Sequence, residues 1–131
     1  MLVTDKQLRD KARETAMRAY APYSNFFVGA AALFEERDDI YCGTNVENVS
    51  FGLTMCAERS AIAAGVAADC RALKKIAIFC IAGNSAKPTV STPCGACRQV
   101  IAEFGKPDTE VLLSDGQRYT LSELLPNQFM F

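Results

Sequence analysis

Two short segments constrain this chain more than any other feature: Met55-Cys56-Ala57-Glu58-Arg59 and Thr92-Pro93-Cys94-Gly95-Ala96-Cys97-Arg98. Cys94 follows Cys56 by 38 positions, so a fold that uses these thiols together must bring two distant segments into one place. They offer three thiols and a carboxylate two residues past the first, in a chain that has no histidine. A structural zinc site normally closes with a fourth Cys or His, whereas three protein ligands and an open position make the pattern of a catalytic metal. Glu58 then stands beside whatever occupies that position. The combination points to metal-activated water and an adjacent proton carrier, and so to a hydrolytic enzyme.

The pattern around these segments predicts where they sit. Thr4-Asp5-Lys6-Gln7 reads as a capping box, and Leu8, Ala12, Ala16 and Ala19 share one face of a helix spanning Thr4 to Tyr20 that Pro22 closes. Apolar runs at Phe26–Phe34 and Ile40–Val46, separated by Asp38-Asp39, read as a β-hairpin. Ala57–Ala68 and Gly95–Phe104 read as helices, Lys75–Ala82 and Glu110–Leu113 as strands, Asp115-Gly116 as a turn and Leu121–Leu125 as a short helix. Helix and strand alternate after the hairpin, which predicts a single unit over residues 1–131. Its expected architecture is a three-layer α-β-α sandwich with a mixed β-sheet. Cys56 opens one helix, and Cys94 and Cys97 open another behind Pro93. Three thiolates on one zinc carry a net charge of −1, which two helix N-termini and Arg59, one turn past Cys56, are placed to offset. Cys42, Cys70 and Cys80 have no ligand-like spacing and read as small core residues.

Composition narrows the partners. Fourteen basic and fifteen acidic residues give a net charge near −1 with no basic run, which argues against a nucleic-acid partner and for a small molecule. No 18-residue apolar run and no export signal are present, so no membrane partner is expected. Six cysteines then fit a reducing cytoplasm and metal use rather than a disulfide framework. An apolar fraction of 50% fits either a well-filled core or extra surface buried between subunits.

The two thiol segments resemble those of the small, homotetrameric, three-cysteine cytidine deaminases. The likeness extends to Tyr20–Ala31, Asn45-Val46-Glu47-Asn48, and Glu123-Leu124-Leu125-Pro126 with Phe129. The resemblance implies one zinc per chain on Cys56, Cys94 and Cys97, and Glu58 as the catalytic proton carrier. It implies Arg59 as a hydrogen-bond donor to the thiolates. It also implies nucleoside contacts from Phe26, Asn45, Val46, Glu47, Asn48, Val49, Ser50, Phe51, Ala57 and Phe129, with Asn45 and Glu47 on the ribose hydroxyls. The implied reaction converts cytidine and deoxycytidine to uridine and deoxyuridine plus ammonia in pyrimidine salvage, and it favours the oligomeric use of the apolar surface. Phe51 departs from the Tyr of many relatives, keeping the ring and losing the hydroxyl, and the sequence stops at Phe131 where some relatives carry a longer tail. Two rival readings share the metal motif. A deaminase for a nucleoside-like antibiotic such as blasticidin S would not need the sugar-binding segment Asn45–Phe51. A non-enzymatic zinc-stabilised interaction module would not need Glu58.

Overall fold

Thr4 begins the first helix as its sequence predicts. Its hydroxyl accepts from Gln7 N while the Gln7 side chain accepts from Thr4 N, which satisfies two donors that the first turn leaves free. The computed structural model describes residues 2–131, so Met1 of the expected 1–131 unit lies outside the described residues. In chain order the elements are α1 (Asp5–Ala16), β1 (Phe26–Phe34), β2 (Ile40–Thr44), a 3-10 turn (Phe51–Leu53), α2 (Ala57–Ala67), β3 (Leu73–Ala82), α3 (Gly95–Phe104), β4 (Glu110–Leu112), β5 (Arg118–Thr120) and α4 (Leu121–Leu124). Helix α1 ends at Ala16, four residues short of the predicted Tyr20. Tyr20 is instead paired with the segment after β2: its N–H donates to Asn45 O, and Glu47 N donates to Tyr20 O. That pairing wins over helix continuation and takes Ala19 off the helical face.

The five strands form one mixed sheet in the order β2-β1-β3-β4-β5. Strand β1 is antiparallel to β2 and β3, β3 is parallel to β4, and β5 returns antiparallel on β4. Parallel neighbours need a crossover, and α3 supplies it between β3 and β4. Because strand side chains alternate, β1 feeds two cores at once. Ala30, Ala32 and Phe34 pack with α2 and α3, while Ala31 and Leu33 pack with Leu8, Ala12 and Ala16 of α1. This is the expected three-layer α-β-α sandwich, and it explains why β1 reads as an unbroken apolar run. Two glycines set the layer spacing. A Cβ on Gly29 would lie 2.1 Å from Ala12 O, and one on Gly43 would lie 2.3 Å from Ala61 N, so α1 and α2 can rest directly on the sheet. Strand β5 was not predicted, because its three residues carry no apolar alternation. Cys70 and Cys80 are buried, but Cys42 is only half-buried, since β2 is an edge strand that α1 only partly covers.

Four charges pin the start of α1 to the sheet. Lys75 on β3 reaches Asp5 at 2.8 Å and Glu110 at 3.2 Å, and Arg118 on β5 reaches the same two carboxylates at 2.5 and 2.7 Å. The Lys75 hydrogen bond holds the Asp5 pKa below its ordinary value, and the Arg118 hydrogen bond does the same for Glu110. Carboxylates depressed in the folded state add stability above their unfolded pKa values of about 3.9 and 4.3, and that stability is lost as pH falls through the still lower folded values. Lys75→Met is therefore expected to lower unfolding free energy by about 1 kcal/mol at pH 7, with the deficit shrinking towards pH 3. Urea unfolding at the two pH values measures this, and an equal deficit at both would show that Lys75 acts through packing alone.

Candidate metal centre and active site

The two thiol segments meet because two helices start at one end of the sheet. Cys56 is the N-cap of α2 and Cys94 the N-cap of α3, and neither side chain makes a capping bond. N-cap positions usually hold Ser, Thr, Asp or Asn, whose oxygens serve the free N–H groups. A thiol there leaves the side chain free for other work and sets it in the positive field of the helix start. Cys97 follows in the first turn of α3 and is fully buried. Cys56 is placed from the other side as well: Met55 and Val46 exchange backbone hydrogen bonds of 2.9 Å in each direction. The Asn45–Ser50 segment thus holds the first thiol in position.

The Sγ atoms of Cys56, Cys94 and Cys97 lie within 4.8 Å of one another, with 3.9 Å from Cys56 to Cys94 and 3.4 Å from Cys94 to Cys97. Sulfurs bound at about 2.3 Å around a tetrahedral zinc sit about 3.8 Å apart, so this donor set fits the ion. No fourth metal-ligating side chain joins the group among the described residues. Arg59 Nη2 lies 3.5 Å from Cys56 Sγ and 3.4 Å from Thr54 O, and Arg59 Nε is buried without a partner among the described residues. Hydrogen bonds from Cys97, then Arg59, pull the Cys56 thiol down to about 5, and the bond that Cys97 donates to Cys56, with burial adding to it, holds the Cys97 thiol above the ordinary range. The cluster thus favours negative charge on Cys56 beside Arg59, which suits a site for a cation.

Cys56 and Cys94 border a cavity of about 740 Å³ whose walls also include Phe26, Asn45, Ala57 and Glu58, with Cys97 fully buried. Glu58 is 6% exposed, and burial raises its pKa above the usual carboxylate value, with the Cys56 charge adding to the effect. Among the described residues, no other carboxylate lines this space. Asn45 clamps the start of β1, since its Oδ1 accepts from Val28 N at 2.9 Å and its Nδ2 donates to Phe26 O at 2.8 Å.

The chain does not bring every predicted contact to the cavity. Glu47 accepts from Tyr23 N, Ser24 N and Ser24 Oγ, and it lines a second hollow of about 350 Å³ with Phe51. Asn48, Val49 and Ser50 lie on the exposed turn beyond it, Val46 is 45% exposed, and Phe51 and Phe129 are 73% and 78% exposed. Several residues of the cavity wall are not among the expected contacts, and three of them bear on the site. Cys80 is buried as expected but also faces the cavity, and its thiol is pushed up to about 12 by burial. Arg98 and Leu125 join it. Arg98 carried a usable signal, because it directly follows Cys97.

The profile of the "Cytidine and deoxycytidylate deaminase zinc-binding region" matches residues 2–113. The chain belongs to this deaminase family. A cytidine deaminase of Halalkalibacterium halodurans is 42% identical over 130 residues, covering 95% of this chain and 94% of that protein. One from Mycobacterium tuberculosis is also 42% identical, covering 93% and 86%. The crystal structure of cytidine deaminase from Burkholderia pseudomallei superposes with a TM-score of 0.83 at 41% identity, covering 97% of this chain and all of that one. The Mycobacterium tuberculosis structure gives 0.82 at 38% identity, covering 98% and 99%. Family membership and the thiol geometry agree on a zinc-dependent deaminase site.

Proposed function

We propose that this protein hydrolyses cytidine and deoxycytidine to uridine and deoxyuridine plus ammonia, with one zinc per chain. The observation that carries the reading is a cluster of three thiols able to hold a metal ion, two of them on the wall of a cavity that holds one buried carboxylate, Glu58, in a chain of the deaminase family. When bound, zinc lowers the pKa of a water at its open position towards about 7, which makes a nucleophile available at neutral pH. The remaining work falls to the chain. Glu58 would take the first proton of the water and deliver it to ring nitrogen 3 as carbon 4 is attacked. It would then take the proton of the new hydroxyl on carbon 4 and pass it to the amine, which leaves as ammonia while that oxygen becomes the carbonyl of uridine. A buried carboxyl whose pKa is raised by desolvation suits both duties. Arg59 donates to the thiolate side of the site and offsets part of its charge. Phe26 and Ala57 form the base-facing wall. Asn45, with one Nδ2 hydrogen beyond its bond to Phe26 O, and Glu47 take the ribose hydroxyls, and Val46, Asn48, Val49, Ser50 and Phe51 shape the sugar end.

The test is loss of absorbance near the cytidine maximum with zinc-loaded protein, comparing cytidine, deoxycytidine, cytosine, CMP and blasticidin S. Turnover of both nucleosides is expected; turnover of blasticidin S alone, or of none, would overturn the assignment. The reading extends to pyrimidine salvage in the cytoplasm, where the six free thiols stay reduced. No described helix is long and apolar enough to cross a membrane.

The same reading makes the protein a homotetramer with shared sites. Val49, Phe51, Leu53 and Phe129 are each at least 67% exposed, although apolar rings and branches of this kind are normally covered. Contacts between neighbouring chains would bring Phe51 and Phe129 to the thiol-lined cavity, which neither lines in its own chain. Sedimentation alongside the assay is expected to show tetramers whose dissociation ends turnover. Phe129→Ala is expected to raise KM severalfold with kcat nearly unchanged, since ring packing serves ground and transition states alike. A fully active monomer would refute the shared site.

A further inference from the structure

We infer that Arg98 is a positioning residue that locks one metal ligand and the C-terminal wall of the cavity to each other. Its guanidinium donates in three directions: Nε to Pro93 O at 2.8 Å, Nη1 to Leu124 O at 2.8 Å, and Nη2 to the Thr92 hydroxyl at 2.9 Å. Two of these acceptors belong to the chain that enters α3 and the third to the end of α4. Before Cys94, the last backbone tie to another element is Thr89 N to Cys80 O. Beyond a 3.5 Å bond from Ser114 Oγ to Thr89 O, the described hydrogen bonds that tie residues 90–93 to another element all come from Arg98, since Ser91 only turns to Thr92 O. Fixing the Pro93 carbonyl fixes the peptide plane from which Cys94 springs, and hence the direction of its Sγ. Cys56 and Cys97 do not depend on this device, because the first is held by the Val46 pairing and the second sits inside α3.

The third bond acts on the other side of the cavity. Helix α4 has only four residues, and its start is fixed by a Thr120–Glu123 capping box. At its far end the Leu124 carbonyl has left the helix ladder and takes the Arg98 donor instead. Leu124 and Leu125 both line the cavity, so the same planar fork sets the ligand and the wall in register. A lysine cannot reproduce this. Its ammonium is a point donor on a flexible stem, whereas the three acceptors need a rigid fork.

The KM arm of the test rests on the deaminase reading, while the zinc arm does not. Zinc-loaded parent, Arg98→Lys, Arg98→Met and Thr92→Val are to be compared for zinc release to excess chromogenic chelator at pH 7, for thermal unfolding, and for KM and kcat with cytidine. Groups that orient a metal ligand typically carry about 10–100-fold of metal affinity or activity. Arg98→Lys is therefore expected to release zinc at least about tenfold faster and to raise KM severalfold, while unfolding as one transition like the parent. Thr92→Val, which removes one bond of three, should fall between. If Arg98→Met does not fold, the other two variants carry the test. Parental zinc release in Arg98→Lys would overturn the proposal. So would a raised KM with parental zinc release, which would make Arg98 a substrate contact instead. A parent that binds zinc but deaminates nothing would sink the functional reading and leave the zinc comparison intact.

Discussion

Glu58→Gln is expected to retain zinc and fold while turnover falls by at least about 10⁴-fold. General acid–base catalysis by one positioned group is worth roughly 10²–10⁴, and here one group serves several proton transfers in sequence. No substitute is at hand, because among the described residues no second carboxylate lines the cavity. The amide keeps the size and shape of the side chain, so the walls should not shift. Stability should not suffer either. A carboxyl whose folded pKa is raised by burial is one that folding disfavours in its charged form, so a neutral isostere removes a penalty above the unfolded pKa. The signature is thus a parental zinc content, an unfolding midpoint no lower than the parent's, and almost no product. Turnover within tenfold of the parent would remove Glu58 from its role.

Much of this site was legible in the sequence, for local reasons. Thr4 and Gln7 sit at capping-box spacing and form that box. Pro93 before Cys94, and Cys56 before an alanine-rich run, mark helix starts that hold in space. What was not legible depends on pairing between distant segments. Helix α1 stops early because Tyr20 joins the strand-like segment at Asn45–Glu47, a partner no helical pattern can reveal. Strand β5 exists because β4 offers it an edge and Arg118 meets Glu110 there. Cys80 reads as core and is core, and a small apolar residue satisfies packing and cavity wall equally well. Phe51 and Phe129 are the instructive pair. Resemblance assigns them to the substrate, yet their own chain leaves them on the surface, and only the proposed tetramer would reconcile the two.

Replacing Cys56, Cys94 or Cys97 by Ala is expected to remove the single zinc and to lower turnover by more than about 10⁴-fold, since water with a pKa of about 15.7 offers almost no nucleophile at pH 7. The fold should survive the loss. Helix α2 is anchored by Ala57, Ala61 and Ile62 and α3 by Ile101, all essentially inaccessible to solvent, so neither relies on the metal for its place. This sets the site apart from small zinc domains that unfold without their ion. Cys42→Ala and Cys70→Ser should each keep one zinc per chain, because neither thiol belongs to the cluster. Cys80→Ala should do the same, although its thiol faces the cavity. The three ligand variants should not be equal in stability. Cys97 is fully buried and Cys94 exposed, so Cys97→Ala opens a gap beneath the turn while Cys94→Ala trims only the rim. Elemental analysis of each purified variant, paired with its unfolding midpoint, checks both halves. Two zincs per parent chain, or a full complement in Cys94→Ala, would overturn the ligand set.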